Sequence, residues 1–201
     1  NTTSEMGGGI YCYSSSPVLA NNTVTWNSEY GFMFSTNSSP ILVNSILWHN
    51  SPCEIRIGGT SSVAISYSDV EGGEADVYND GTVTWGAGNI DTNPEFLDPG
   101  NGDYHLSDYS LCIGAGTSVG ASSMDIEGNV RGTPPDMGAY ENSRDKPLSS
   151  ITFYVSVTGD DDAGDGSIGT PFATIQKGIN AAADGCTVVL LDCLCIGAGN
   201  V

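Results

Sequence analysis

The sequence predicts an all-β fold, a parallel β-solenoid (β-helix) with about 23 residues per coil and one short amphipathic capping helix near 171–183. Two observations predict the solenoid. Three ungapped segments of equal length follow one another at 15–37, 38–60 and 61–83, and apolar residues recur at the same positions in each. Within a segment these residues alternate with polar ones, as in strands with one face inward. Since one such unit cannot bury its apolar face alone, successive units must stack.

The repeated positions identify the side chains that line the interior. The predicted inward columns are Leu19/Leu42/Ile65, Val24/Leu47/Val70, Phe32/Ile55 and Phe34/Ile57, with Ile10 and Cys12 preceding the last two. At the turns, Asn21/Asn44 and Ser45/Ser68 are expected to hydrogen-bond to their own kind along the solenoid axis. A helical solenoid is the alternative, but residues 1–110 contain no apolar stripe of helical period.

Composition and charge exclude several classes of partner. The chain has 24 acidic and five basic residues, a formal charge of −19, and only 14% of its residues are charged. Five scattered cations cannot neutralise a phosphate backbone or an anionic membrane, so no nucleic acid or membrane partner is expected. No apolar run reaches the roughly 18 residues that span a bilayer. The acidic surface, rich in Asn, Ser and Thr, favours an extracellular or cell-surface location.

Three motifs follow the predicted coils. Residues 110–116 read S-L-C-I-G-A-G, residues 125–131 read D-I-E-G-N-V-R, and residues 136–141 read D-M-G-A-Y-E. They resemble the S-P-C-I-D-A-G, D-x-x-G-x-x-R and D-I-G-A-Y-E motifs that end right-handed parallel β-helix proteins of the pectate-lyase-like type, found in secreted and surface proteins of bacteria. The resemblance implies right-handed coils in residues 1–90 and a C-terminal closing segment in residues 91–141.

The last fifty residues resemble the opposite end of the same fold. The stretches Y-V-S, G-D-D-D, G-D-G-S and P-F-A-T-I-Q within residues 154–176 are similar to the start of a parallel β-helix. Apolar residues at helical spacing follow Pro171, which suits a first helical turn with Thr170 as its N-cap. Such a helix would cover the open end of the coils. Residues 187–191 are predicted to form the first strand.

The order of the two ends is therefore inverted. After a polar linker at 142–150, residues 151–201 begin a β-helix that belongs to the next repeat, to a neighbouring copy, or to the same copy as a circular permutant. Each alternative leaves exposed coil ends, and unprotected strand edges seek partners. We therefore expect the strand at 187–191 to lie beside the strand at 9–13 of some chain.

The sequence contains no complete catalytic constellation. Pectate-lyase-like enzymes use a cation beside a carboxylate, with calcium, and related hydrolases use paired carboxyl groups. Arg56 is the single cation on a predicted coil, and it is expected to point outward as a solvated side chain. His49 and His105 are isolated, and His105 lies in the closing segment, where a structural role is expected. We therefore expect no catalysis.

Two groups of oxygen-bearing side chains are candidate calcium sites, because calcium prefers hard oxygen ligands. The first group is Asp160, Asp161, Asp162 and Asp165, and the second is Asp98, Asn101 and Asp103. The spacing of the first group is not that of an EF-hand, and a turn with solvated carboxylates is the alternative for both. Calcium is the single cofactor candidate.

Aromatic residues fall between or beside the inward columns, where they are candidates for stacking on sugar rings or for contacts between subunits. These are Trp26, Tyr30, Trp48 and Trp85. The six cysteines form no C-x-x-C motif and lack paired histidines, so a zinc site is not expected. Small buried apolar side chains are the leading interpretation of the cysteines, and disulfides are the alternative.

These residues and the resemblance predict a structural or adhesive module without catalysis. It would join copies of itself, or neighbouring β-helix repeats, head to tail into a fibre or array. The alternative is a carbohydrate-binding module, or a fragment of a polysaccharide lyase or hydrolase, with a polysaccharide as its partner.

Overall fold

The computed structural model describes residues 8–148, 151–182 and 185–191. The chain divides into two compact units, Asn1–Pro147 and Leu148–Val201. In the described part of the chain, no helix has the length and apolar character that crossing a membrane requires.

The first unit is a parallel β-solenoid in which three coils each give one short strand to each of three sheets, and a fourth coil adds a strand to the first two sheets. In chain order the strands are β1 (Ile10–Tyr13), β2 (Val18–Ala20), β3 (Thr23–Thr25), β4 (Phe32–Ser35), β5 (Ile41–Val43), β6 (Ile46–Trp48), β7 (Ile55–Ile57), β8 (Ser62–Ser66), β9 (Asp69–Val70), β10 (Tyr78–Asn79) and β11 (Thr82–Trp85). The first sheet has the order β1-β4-β7-β10, the second β2-β5-β8-β11, and the third β3-β6-β9. The predicted fold class is confirmed.

The strand register confirms the predicted inward columns. Leu42 pairs with Leu19 and Ile65, and Phe34 pairs with Cys12 and Ile57. Most of these side chains are fully buried in one core inside the coils. Burying a side chain of this size contributes roughly 1.5–3 kcal/mol, so the columns are the main source of stability for the coils.

The last coil is shorter than the repeat. Trp85 pairs with Ile65 and so continues the column of Leu19 and Leu42. Its ring packs against the core inside the coils. Trp85 was expected beside the inward columns; the shortened coil places it within one of them.

The polar turns differ in part from expectation. Ser45 and Ser68 form the predicted ladder along the axis, in which the Ser45 N–H donates to the Ser68 hydroxyl at 3.1 Å. The Asn21 and Asn44 amides do not bond to each other. The Asn44 side chain donates to the Thr117 carbonyl at 2.7 Å and accepts from its N–H at 2.8 Å. Asn21 similarly donates to the Asp136 carbonyl. The asparagines therefore hold the closing segment rather than the next coil.

The closing segment covers the outer face of the third sheet. It begins with an antiparallel pair, β12 (Phe96–Asp98) and β13 (Asp103–Leu106), and continues without long strands. A second apolar core lies between this segment and the sheet. Its buried members are Ile46, Leu106, Cys112, Ile113 and Met137.

The second unit contains two parallel strands and one helix, β14 (Thr152–Ser156), α1 (Ile175–Ala181) and β15 (Thr187–Leu191). The helix begins later than predicted, and its N-cap is Thr174, whose hydroxyl accepts from the Lys177 N–H at 3.1 Å. Thr170 is not the cap because the chain between it and the helix is extended. Phe172 bridges to Val155, and its N–H donates to the Tyr154 carbonyl.

Candidate functional site

The chain turns from the third sheet to the first sheet at what we call the third corner, residues 26–31, 49–54 and 71–77 of successive coils. Two of the four candidate aromatic residues, Trp26 and Tyr30, lie in these turns. The third corner also carries several acidic residues, and it is therefore the best candidate for a functional surface.

An aromatic and acidic stack lies at the start of these turns. Trp26, His49 and Gly72 occupy equivalent positions, with positive φ angles of 55°, 58° and 75°. This conformation is uncommon for large side chains. Trp26 is 55% exposed, and the centroid of its ring lies 4.6 Å from that of His49. The His49 N–H donates to Glu71 at 2.6 Å, and Nδ1 lies 3.2 Å from the other carboxylate oxygen. The exposed indole of Trp26 thus contacts the imidazole of His49, which Glu71 holds in place.

A buried polar ladder runs beneath the same corner. The Asn27 N–H and side-chain amide both donate to Asn50 Oδ1, at 3.0 and 2.7 Å. The Asn50 N–H donates to Glu54 Oε1 at 2.8 Å, and its side-chain amide donates to Oε2. Glu54 is only 2% exposed. Burial raises the pKa of Glu54 to about 7; the bonds from Asn50 oppose this rise, and the nearby Glu71 carboxylate adds to it.

Arg56 lies on the first-sheet side of the third corner and is not the solvated side chain that was expected. Its Nη1 donates to the Tyr30 hydroxyl at 2.7 Å. Its guanidinium carbon lies 5.2 Å from the Tyr30 ring centroid and 4.9 Å from that of Tyr78. Rings from the previous and the following coil thus enclose the cation, an arrangement that cation–π attraction favours. The Nε atom is buried and makes no hydrogen bond to the protein.

The four candidate aromatic residues do not form one surface. Trp26 and Tyr30 lie at the third corner. Trp48 packs against the second core, and Trp85 packs against the core inside the coils. The network of Asn50, Glu54 and Glu71 was not among the sequence candidates, and the spacing of Asn27 and Asn50 by one repeat was its available signal.

Carboxylates of the first candidate calcium loop accept hydrogen bonds from backbone N–H and hydroxyl groups of the chain itself. Asp160 accepts from the N–H groups of Asp162 and Ala163. Asp161 accepts from the Thr174 hydroxyl at 2.7 Å and also from backbone N–H groups; these bonds, of which the hydroxyl's is strongest, hold the pKa of Asp161 below its usual value. Asp165 accepts from the Thr170 hydroxyl and from the Ser167 N–H, and these bonds lower its pKa to about 2.

The second candidate calcium group is divided among different partners. Asp98 accepts from the Asn101 amide at 2.7 Å, whereas Asp103 pairs with His105 Nδ1 at 2.6 Å. The bond from Asp103, followed by that from Glu127, raises the pKa of His105. Over the described residues, no three His, Cys, Asp or Glu side chains are grouped so as to hold a metal ion. Calcium binding stays a prediction.

The closing motifs form a buried ionic network. Arg131 Nη1 lies 2.9 Å from Glu141, and both side chains are almost fully buried. Its Nη2 donates to the Gly138 and Ala139 carbonyls. Asp136 accepts from two backbone N–H groups, and burial raises its pKa to about 6. These residues fold the closing segment.

A buried carboxyl group joins the closing segment to the third sheet. Asp69 on β9 is fully buried, accepts from the Thr92 N–H at 3.1 Å, and lies 3.2 Å from the Cys112 thiol. Burial raises the pKa of Asp69 to about 7 and that of Cys112 well above its ordinary value. Cys12 and Cys53 are also buried free thiols, as the apolar interpretation predicts, while Cys193 and Cys195 lie outside the described residues.

An open groove of about 440 Å³ lies at the first coil of the solenoid. Strand β3 lines one side, and Tyr104, Ile126 and Tyr140 of the closing segment line another. Among the described residues of its lining, tyrosine is the only titratable type. These residues offer shape and apolar surface, and they include no pair of carboxyl groups of the kind that acid–base hydrolysis of a glycosidic bond uses.

Comparison with known proteins assigns no family. No family model matches the chain, and neither a curated protein nor a solved structure matches it.

Proposed function

We propose that the protein is a structural module without catalysis, a stiff element of an extracellular or cell-surface assembly of the pectate-lyase-like β-helix type. The observation that carries the proposal is the packed interior. Columns of apolar side chains fill the coils, and the acidic groups of the motifs are bound to the chain's own backbone. These apolar and acidic residues therefore stabilise the fold of the module. The module would extend by joining further solenoid coils at its ends.

The shape of the native particle tests this function. We expect light scattering and electron microscopy of the whole chain to show particles of constant width whose length grows with concentration. As a control for catalysis, the same preparation is incubated with polygalacturonate and with a neutral glucan. Release of reducing ends or of unsaturated sugars would overturn the proposal, as would particles of single-chain mass at every concentration.

A second candidate function is carbohydrate binding at the third corner. The observation that favours it is the exposed Trp26 ring, supported from behind by His49, since aromatic faces stack on sugar rings. Affinity electrophoresis in gels that contain a neutral glucan tests it. Trp26→Ala should lose the retardation, and the matched control Tyr109→Ala, an exposed aromatic outside the corner, should keep it. Equal migration of the wild type with and without glucan would exclude this function.

A further inference from the structure

Among the strands that pair on one side only in the described part of the chain are β1 and β15. In the first unit β1 pairs with β4 on one side, and in the second unit β15 pairs with β14 on one side. Neither β1 nor β15 contains a charged residue, although the chain has 29 of them. Natural edge strands are usually protected by charges, prolines or bulges. These two edges lack charge and proline, and are therefore suited to pairing.

The strand β15 is also unfinished on its inner face. Val188 and Leu190 lie on the same side of the strand as Val155, as the register of β14 and β15 shows. Helix α1 packs on this side, where Gly178 approaches both Val155 and Val188. Leu190 nevertheless remains 42% exposed. Each central strand of the solenoid, by contrast, buries its inward residues almost completely. A further coil above β15 would bury Leu190 in the same way.

The backbone hydrogen bonds follow one rule in both units. In the first unit, the backbone groups of inward residues bond to the following coil, as the Ile10 N–H does to the Gly31 carbonyl. In the second unit, the backbone N–H of the outward residue Thr187 donates to the carbonyl of Ile151, on the side of the preceding strand β14. Since bonding direction alternates along a parallel strand, the groups of Val188 and Leu190 point to the open edge of β15. Those of the outward Tyr11 point to the open edge of β1.

We infer that the open edge of β15 pairs in parallel with the open edge of β1 of a second copy of this chain. In this pairing Val189 lies opposite Tyr11. This inference rests on the proposed structural function and names its joint. In this register the Tyr11 N–H donates to the Val188 carbonyl, and the Leu190 N–H donates to the Tyr11 carbonyl. The same register places Leu190 in the inward column of Cys12. The joint uses different surfaces on the two copies, so it can repeat from one copy to the next.

Two proline variants of the whole chain test the joint, because proline lacks the N–H donor. Leu190→Pro removes the donor at the open edge of β15, and Tyr11→Pro removes the one at the open edge of β1. Neither change removes a backbone hydrogen bond within its own sheet, and the side-chain bond between Tyr11 and Ser35 is lost in Tyr11→Pro and Tyr11→Ala alike. The controls Leu190→Ala and Tyr11→Ala keep the donors. Circular dichroism and tryptophan fluorescence establish that each variant is folded, and mass is measured by light scattering under reducing conditions.

We expect the wild type and both alanine controls to form multimers, and each proline variant alone to have the mass of one chain. An equimolar mixture of the two proline variants should form a dimer and nothing larger, because each supplies the edge that the other lacks. Multimers of either proline variant alone would overturn the joint but leave the structural function standing. A mixture that stays monomeric would also overturn it. A wild type that is monomeric at every concentration would refute both proposals.

Discussion

The coils and the closing segment of the first unit differ in what stabilises them. In the coils, apolar side chains repeat in columns, so that each central buried residue has apolar neighbours above and below. In the closing segment, single polar groups such as Arg131 and Asp136 each bind several backbone atoms. The coils therefore tolerate a change wherever the column stays apolar and keeps its volume. The closing segment depends on individual residues that no neighbour can replace.

The largest effect is expected in the coils. Phe34 is fully buried, pairs with Cys12 and Ile57, and lies 5.8 Å from the Phe32 ring. Phe34→Ala should lower the free energy of unfolding by about 3–5 kcal/mol because the columns cannot close around the cavity. Urea unfolding followed by tryptophan fluorescence measures this, since all three tryptophans lie in the first unit.

The neighbouring residue provides the matched control. Met33 lies on the opposite face of the same strand and is only partly buried. Met33→Ala should cost less than about 1 kcal/mol, in the range of ordinary surface substitutions. Equal losses for the two variants would mean that the inward columns do not dominate the stability of the coils.

The next effect is expected in the closing segment. Arg131→Ala leaves the Glu141 carboxylate buried without its partner, and breaking such a pair costs about 3–5 kcal/mol. Hydrogen exchange should increase first in residues 123–142 and only later in the coils. Arg144→Ala, which removes a partly exposed pair with Asp108, should cost less than about 1 kcal/mol. A uniform rise in exchange over the whole unit would show that the two regions unfold together.

The same difference explains how much the sequence could predict. The columns of Leu42 and Phe34 were readable because stacking demands like residues at a fixed spacing. The short last coil broke that spacing, so Trp85 was placed outside the column that it joins. The fold of the closing segment depends on contacts distant in sequence, such as Asn44 with Thr117, and no local pattern reports them.

The candidate site was less predictable than the fold. Trp26 was identified as an exposed aromatic residue, but its support by His49 and Glu71 depends on which turns become adjacent. The prediction that Arg56 is a solvated side chain was wrong because Tyr30 and Tyr78 reach it from neighbouring coils. Side chains on successive coils are about one repeat apart in sequence, so a local reading leaves each of them isolated.

The smallest expected effect is a dependence of stability on pH. It involves one acid in the turns of the coils, Glu54, and one at the contact with the closing segment, Asp69. The folded pKa is raised to about 7 for both Glu54 and Asp69, above their ordinary values of 4.5 and 3.8. Their contribution is therefore complete below pH 4 and is lost as the pH rises through 7. Each group lowers the unfolding free energy by at most about 1.4 kcal/mol for each pH unit between its ordinary and its folded pKa.

Substitutions separate the two acids. Glu54→Gln keeps an acceptor for Asn50 and should flatten the fall in unfolding free energy between pH 5 and pH 8, measured by urea unfolding at each pH. Asp69→Asn should act mainly on the closing segment, seen as a smaller pH dependence of its hydrogen exchange. Glu74→Gln, at an exposed position in the same corner, is the control and should leave the slope unchanged. If Glu54→Gln also left it unchanged, the buried ladder of the third corner would not be the group that titrates. The pH dependence would then have to arise at the contact between Asp69 and the closing segment, which the Asp69→Asn variant reports independently.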